Sequence, residues 1–93
     1  MTIGIMTIEL FLEGSQSLKE KRRILLSIKD RLRQKFNISI IESDHQNLWQ
    51  KIQLTAVTVA NTRILAEKTL AKIEETIFSQ YPVQILKADR EYF

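Results

Sequence analysis

Two short stretches of this 93-residue chain hold the side chains whose types and spacing could do chemistry. The first is residues 17–23, SLKEKRR, in which four of seven residues are cations. Ser17 and Glu20 stand at capping-box spacing, where each side chain can satisfy a free backbone N–H of the other, so the stretch predicts a helix start. A helix N-terminus carries roughly half a positive charge. Lys19, Lys21, Arg22 and Arg23 therefore crowd charge of the same sign, with only Glu20 to oppose them. That placement becomes favourable if an anion such as a phosphate group lies over the helix end. At roughly 100° per residue, Lys19, Arg22, Arg23, Lys29 and Arg33 share about one third of the circumference, away from the apolar stripe. These five are expected to contact phosphates, with Lys21 adding to the helix start. The competing expectation is a solvated charged face that keeps the protein in solution. Lys21 and Lys35 project toward the apolar side, where their stems should line the core edge and their ammonium groups stay wet.

The second stretch is residues 44–50, DHQNLWQ, which contains the only histidine and the only tryptophan. Adjacent residues of an extended chain point in opposite directions, so Asp44 is poorly placed to orient His45 as a base. A metal site needs three or four ligands, and the chain has no cysteine and no second histidine. No catalytic residue, metal or cofactor is therefore expected. Either Trp49 packs on a neighbouring surface while His45 makes local hydrogen bonds, or His45 and Trp49 form a secondary contact surface for a base or a partner.

Both stretches must be positioned by regular elements. Residues 2–12 alternate, with Met6, Ile8, Leu10 and Leu12 on one side and Ile3, Ile5, Thr7, Glu9 and Phe11 on the other. Residues 13–16 read as a turn. Leu18, Leu25, Ile28, Leu32 and Phe36, with Ile24 beside them, form the core stripe of a helix ending near Phe36. Residues 37–43 are β-branched and read as a second strand, and residues 50–60 as a third. Asn61 or Thr62 caps a second helix to about Gln80, with Ala66, Leu70, Ile73 and Ile77 inward. Tyr81-Pro82 stops it, because the residue before proline avoids the helical region. Residues 83–93 are a last strand with a charged interruption at Lys87, Asp89, Arg90 and Glu91. The order β-α-β-β-α-β with right-handed crossovers predicts one ferredoxin-like α/β sandwich over residues 1–93. Its antiparallel sheet should have order 4-1-3-2, with both helices on one face. The other face would then expose Ile3, Ile5 and Phe11, joined by Ile41, Val57 or Val59, and such a patch suits a homodimer.

Composition narrows the function. A chain this short buries roughly 60–65% of its unfolded surface, leaving little room for a deep enclosed active site. Hydrophobic residues make up 44% and charged residues 27%, as in ordinary soluble domains. The apolar start lacks a basic n-region and is broken by Glu9, so it reads as a strand, and no membrane partner is expected. Net charge is only +3. Residues 19–35 nevertheless hold eight cations and two acids, a net of +6, and the remainder is net −3. Such asymmetry points to an anionic partner. Two glycines, Gly4 and Gly14, leave no phosphate-cradling loop or GxxG clamp. The third strand has no aromatic residue, which disfavours sequence-specific RNA reading across the sheet.

SLKEKRR followed by DHQNLWQ resembles the YlxP-like family of small bacterial proteins of unknown function. The similarity runs from GIMTIEL to the final DREYF. The resemblance implies a ferredoxin-like fold and a bacterial, cytoplasmic protein. The family's genes often lie beside those for translation initiation and ribosome maturation factors, which implies a role linked to RNA or the ribosome. It implies no catalytic residue. Asn47 stands where the family pattern has an aspartate, so an acidic or metal role is not expected of the loop. The expectation is a non-enzymatic accessory protein bound to RNA or a ribosomal subunit through the basic first helix. The alternative is a homodimeric regulator or scaffold that binds protein through the open sheet face.

Overall fold

Burial with a period of two marks β1 (Thr2–Leu12), one of the two interior strands of the sheet. Met6, Ile8, Leu10 and Leu12 are buried, while Ile3, Ile5, Thr7, Glu9 and Phe11 are half-buried on the opposite face. The computed structural model describes residues 1–93. After β1 the chain continues through α1 (Leu18–Lys35), β2 (Ile38–Asp44), β3 (Lys51–Ala60), α2 (Arg63–Gln80) and β4 (Val83–Tyr92). β1 pairs antiparallel with β3 on one side and β4 on the other, and β3 pairs with β2. The sheet order β2-β3-β1-β4 is the expected 4-1-3-2 read from the other edge.

Both helices cover one face. Leu25, Ile28 and Leu32 of α1 and Leu70, Ile73 and Ile77 of α2 share a core with the inward side chains of β1, Ile40 of β2, and Ile52, Leu54 and Ala56 of β3. Gly4 lets α2 approach: a Cβ there would stand 3.2 Å from a Leu70 methyl and 3.3 Å from one of Thr58. No helix is long and apolar enough to cross a membrane.

The helix ends follow local chemistry. Ser17 Oγ accepts from the Glu20 N–H at 3.2 Å. Glu20 reaches one residue further than a capping box requires and accepts from the Gln16 N–H at 2.8 Å. Gly14, at φ 77°, makes the left-handed turn before it. Thr62, rather than Asn61, caps α2 through the Leu65 N–H at 3.2 Å. Phe36 and Tyr81 are extended and end the two helices. The charged run in β4 does not interrupt it. A bulge at Leu86 shifts the register, Lys87 and Asp89 pair at 3.5 Å, and Arg90 ties to Glu74 of α2 at 2.7 Å.

Candidate functional site

The free face of α1 divides into committed and uncommitted cations. Lys19, Arg22 and Arg23 are exposed and Lys29 is half-buried, and none of the four has a carboxylate within ion-pair distance. Arg33 is partly committed. It donates to the Ile40 carbonyl at 2.9 Å and lies 4.0 Å from Asp30, so it covers part of the β2 edge. On the other flank, Arg31 bonds to Gln80 and lies over the Tyr81 ring.

Lys21 corrects the sequence expectation. Its side chain is 1% exposed, so its ammonium is neither wet nor available to an external phosphate. The position is i, i+4, i+7 and i+11 with Leu25, Ile28 and Leu32, the middle of the buried stripe. Nζ lies 2.8 Å from Glu42 Oε2, although off the hydrogen-bond direction, and donates to the His45 carbonyl at 2.5 Å. An ammonium in this position requires its partners, because burying an unpaired charge costs several kcal/mol, on the order of the whole margin of a small domain.

His45 is the other half of this junction. It adopts φ 66°, a left-handed conformation uncommon outside glycine, asparagine, aspartate and histidine. Its backbone N–H donates to Asp44 Oδ1 at 2.7 Å. Its carbonyl accepts from Lys21 Nζ and from the Leu48 N–H at 3.0 Å. The ring turns away from Asp44, whose carboxylate stands 4.0 Å from Nδ1, and sets Nε2 2.8 Å from Glu9 Oε1. The hydrogen bond from His45 holds the Glu9 carboxyl below its ordinary range, against some desolvation and aided by the charges of His45, Lys51 and Lys87. With its ring engaged by Glu9 and 21% exposed, His45 follows the hydrogen-bonded alternative, through a partner distant in sequence, rather than the stacking one.

Trp49 is 53% exposed and does not pack into the core. It lines an open groove of about 370 Å³ with Phe11, Asn47, Leu48, Gln50 and Lys51. The second aromatic at this place is therefore Phe11, from the outward side of β1, and not His45. The groove is tied to the end of β1 by the Leu12 N–H, which donates to the Gln50 carbonyl at 2.7 Å. From Leu12 the chain turns directly into α1, so the groove lies on the open face at the end of the sheet where α1, with Lys19, Arg22 and Arg23, begins on the other face. Nowhere do three or more histidine, cysteine, aspartate or glutamate side chains gather in a metal-binding group.

A sequence model for a family of proteins of unknown function, DUF503, matches residues 3–90. The chain belongs to this family. An uncharacterized protein, YlxP of Bacillus subtilis (strain 168), is 37% identical over 71 residues, which are 76% of this chain and 77% of the relative. Among solved structures, the protein YJCS is similar at a TM-score of 0.63 and 10% identity, over 96% of each chain. That likeness is one of fold. The protein SO0527 from Shewanella oneidensis is similar at a TM-score of 0.46 and 16% identity, over 97% of this chain and 88% of its own. The two stretches that carried the YlxP-like resemblance are thus physically joined in this DUF503 member, through Lys21 and the His45 carbonyl.

Sequence reasoning missed three partners: Glu42 for Lys21, Glu9 for His45 and Phe11 beside Trp49. Two of them follow only from the strand register of the folded sheet. The register places Glu9, Gln53 and Asp44 in one row of the open face, so the residue after Asp44 falls within reach of Glu9. Phe11 pairs with Lys51, two residues beyond Trp49, so that the strand end and the loop share one edge.

Proposed function

We propose that this protein is a small, non-enzymatic, cytoplasmic accessory factor that binds RNA, on or bound for the ribosome, through the phosphate backbone. The observation that carries this reading is the set of uncommitted cations on α1, Lys19, Arg22, Arg23 and Lys29, three of them within two turns of the helix N-terminus. Cations raise the positive potential there, and neither helix stability nor internal pairing accounts for them. Arg33 joins them with its exposed half, and Lys21 is withdrawn from the set. Phosphate contacts carry no base information, so recognition through this face is indifferent to sequence.

The test is Arg22→Glu with Arg23→Glu. Arg22 and Arg23 lie in the second turn, where the dipole favours acids by less than the about 0.3–1 kcal/mol of the first turn, so melting temperature should hold. RNA affinity should fall by a similar factor for unrelated sequences. The slope of log affinity against log salt should shrink by about 0.7–0.9 per lost contact. Unchanged affinity and slope would reduce the cations to a solvated face.

A second reading has its own observation. Ile41, Val59 and Phe93 are at least half exposed on the open sheet face, beside Ile3 and Ile5, and this supports a homodimer joined through that face. Light scattering at micromolar concentration would show a mass near twice that of the chain. A monomer at every concentration would reject it.

A further inference from the structure

We infer that the RNA taken by this protein is single-stranded, with one unstacked base lying against Trp49 in the groove shared with Phe11. The inference rests on the phosphate-binding reading above and adds to it the form of the nucleic acid. An indole face that is half open to water, beside a phenylalanine ring and Leu48, offers a flat apolar surface. Every nucleobase has a π-face that fits such a surface, which makes stacking tolerant of sequence. In a duplex those faces are already stacked on neighbouring pairs. Only an unpaired nucleotide can present one.

The rest of the groove has the complementary chemistry. Lys51 supplies a cation for the phosphate of the stacked nucleotide; its charge acts on Glu9, but no carboxylate stands within ion-pair distance of it. Asn47 and Gln50 supply amide donors and acceptors for a base edge. The turn from Leu12 through Gly14 leads from this end of the sheet to α1, where the uncommitted cations begin at Lys19. The groove opens on the face opposite the helices, so a flexible strand reaches α1 from it by bending around this end of the sheet past Glu13, a path closed to a stiff duplex. An apolar ligand without charge would leave Lys51 and the helix cations unused.

Because Trp49 is the only tryptophan, its emission reports the groove directly. A fluorescein-labelled ten-nucleotide oligouridylate and a self-complementary RNA duplex of equal length would be titrated into the protein, with anisotropy read alongside tryptophan emission. The single strand should quench Trp49 and bind more tightly than the duplex. Trp49→Ala should weaken single-strand binding by about 5- to 150-fold, the range set by base–aromatic stacking, and leave the salt slope unchanged. Phe11→Ala should act in the same direction. Duplex binding should be insensitive to both. If Arg22→Glu with Arg23→Glu weakens binding but Trp49 emission is unchanged at saturation, the inference fails and the phosphate reading stands. Equal binding of strand and duplex, with Trp49→Ala as wild type, overturns it likewise. Absence of binding to either RNA overturns both.

Discussion

Lys21→Met is the perturbation that most sharply tests the architecture of this end of the molecule. Methionine keeps the apolar stem and removes the ammonium. Glu42, with its side chain 15% exposed, is then left facing an uncharged wall, and the His45 carbonyl loses its cationic donor. Breaking a buried pair from one side costs about 3–5 kcal/mol. The residual exposure of Glu42 admits some water and places the cost near the lower bound, about 3 kcal/mol. In a domain of this size each kcal/mol moves the melting temperature by about 4–8 °C, so a fall of about 12–24 °C is expected. Urea unfolding followed by circular dichroism at neutral pH would measure it, with Glu42→Gln and the double variant completing a cycle. The double variant removes the orphaned charge and should recover more than about 1 kcal/mol of the summed single losses. Its RNA salt slope should match wild type, since Lys21 is not among the phosphate contacts. A cost below about 1 kcal/mol for Lys21→Met would refute the reasoning and return Lys21 to the free face of α1.

Trp49→Ala should cost under about 1 kcal/mol, because a half-exposed ring forfeits little of the 3–5 kcal/mol that a buried one contributes; a larger loss in thermal melts would place the ring in the core. Ser17→Ala should cost about 1 kcal/mol through the lost cap while leaving RNA affinity and its salt slope alone, which separates helix stability from phosphate contact. Glu9 gives a pH dependence. Its carboxyl is depressed in the folded state, so its contribution is fully present above the ordinary carboxylate pKa and is lost as pH falls through the folded value. Glu9→Gln should therefore be less stable than wild type at about pH 6 and approach it near pH 3; parallel stability curves across that range would show that the His45 contact contributes nothing.

How much of this could be read from the chain depends on the range of each interaction. The alternation of β1, the stripe of α1 and the two caps are set by neighbours within a few residues, and each emerged as its periodicity required. Strand order followed from the β-α-β-β-α-β sequence and the handedness of its crossovers. The side chains at the candidate site were legible only in part. Lys21 lies in the apolar stripe by simple counting, but whether its ammonium finds water or an acid depends on Glu42, which β2 brings under α1 from 21 positions away. The ring of His45 likewise meets Glu9 only after β3 has carried the loop back along β1.

These long-range contacts change what the two family-like stretches mean. Each contains residues whose hydrogen bonds within the molecule hold the end of the fold together: Ser17, Glu20 and Lys21 in one, Asp44 and His45 in the other. Each also contains residues that point outward with nothing in the molecule to engage them: Lys19, Arg22 and Arg23 in one, Leu48 and Trp49 in the other. The inward set fixes His45 in its left-handed turn and thereby sets the direction in which the loop presents Trp49. The Lys21 contact with the His45 carbonyl therefore couples the placement of the groove to the start of α1. Loosening that contact with Lys21→Met in a variant that still folds should broaden Trp49 emission and weaken single-strand binding, while the salt slope stays that of wild type. A shallower slope instead would mean that Lys21 itself contacts phosphate, and that its burial is not maintained in solution.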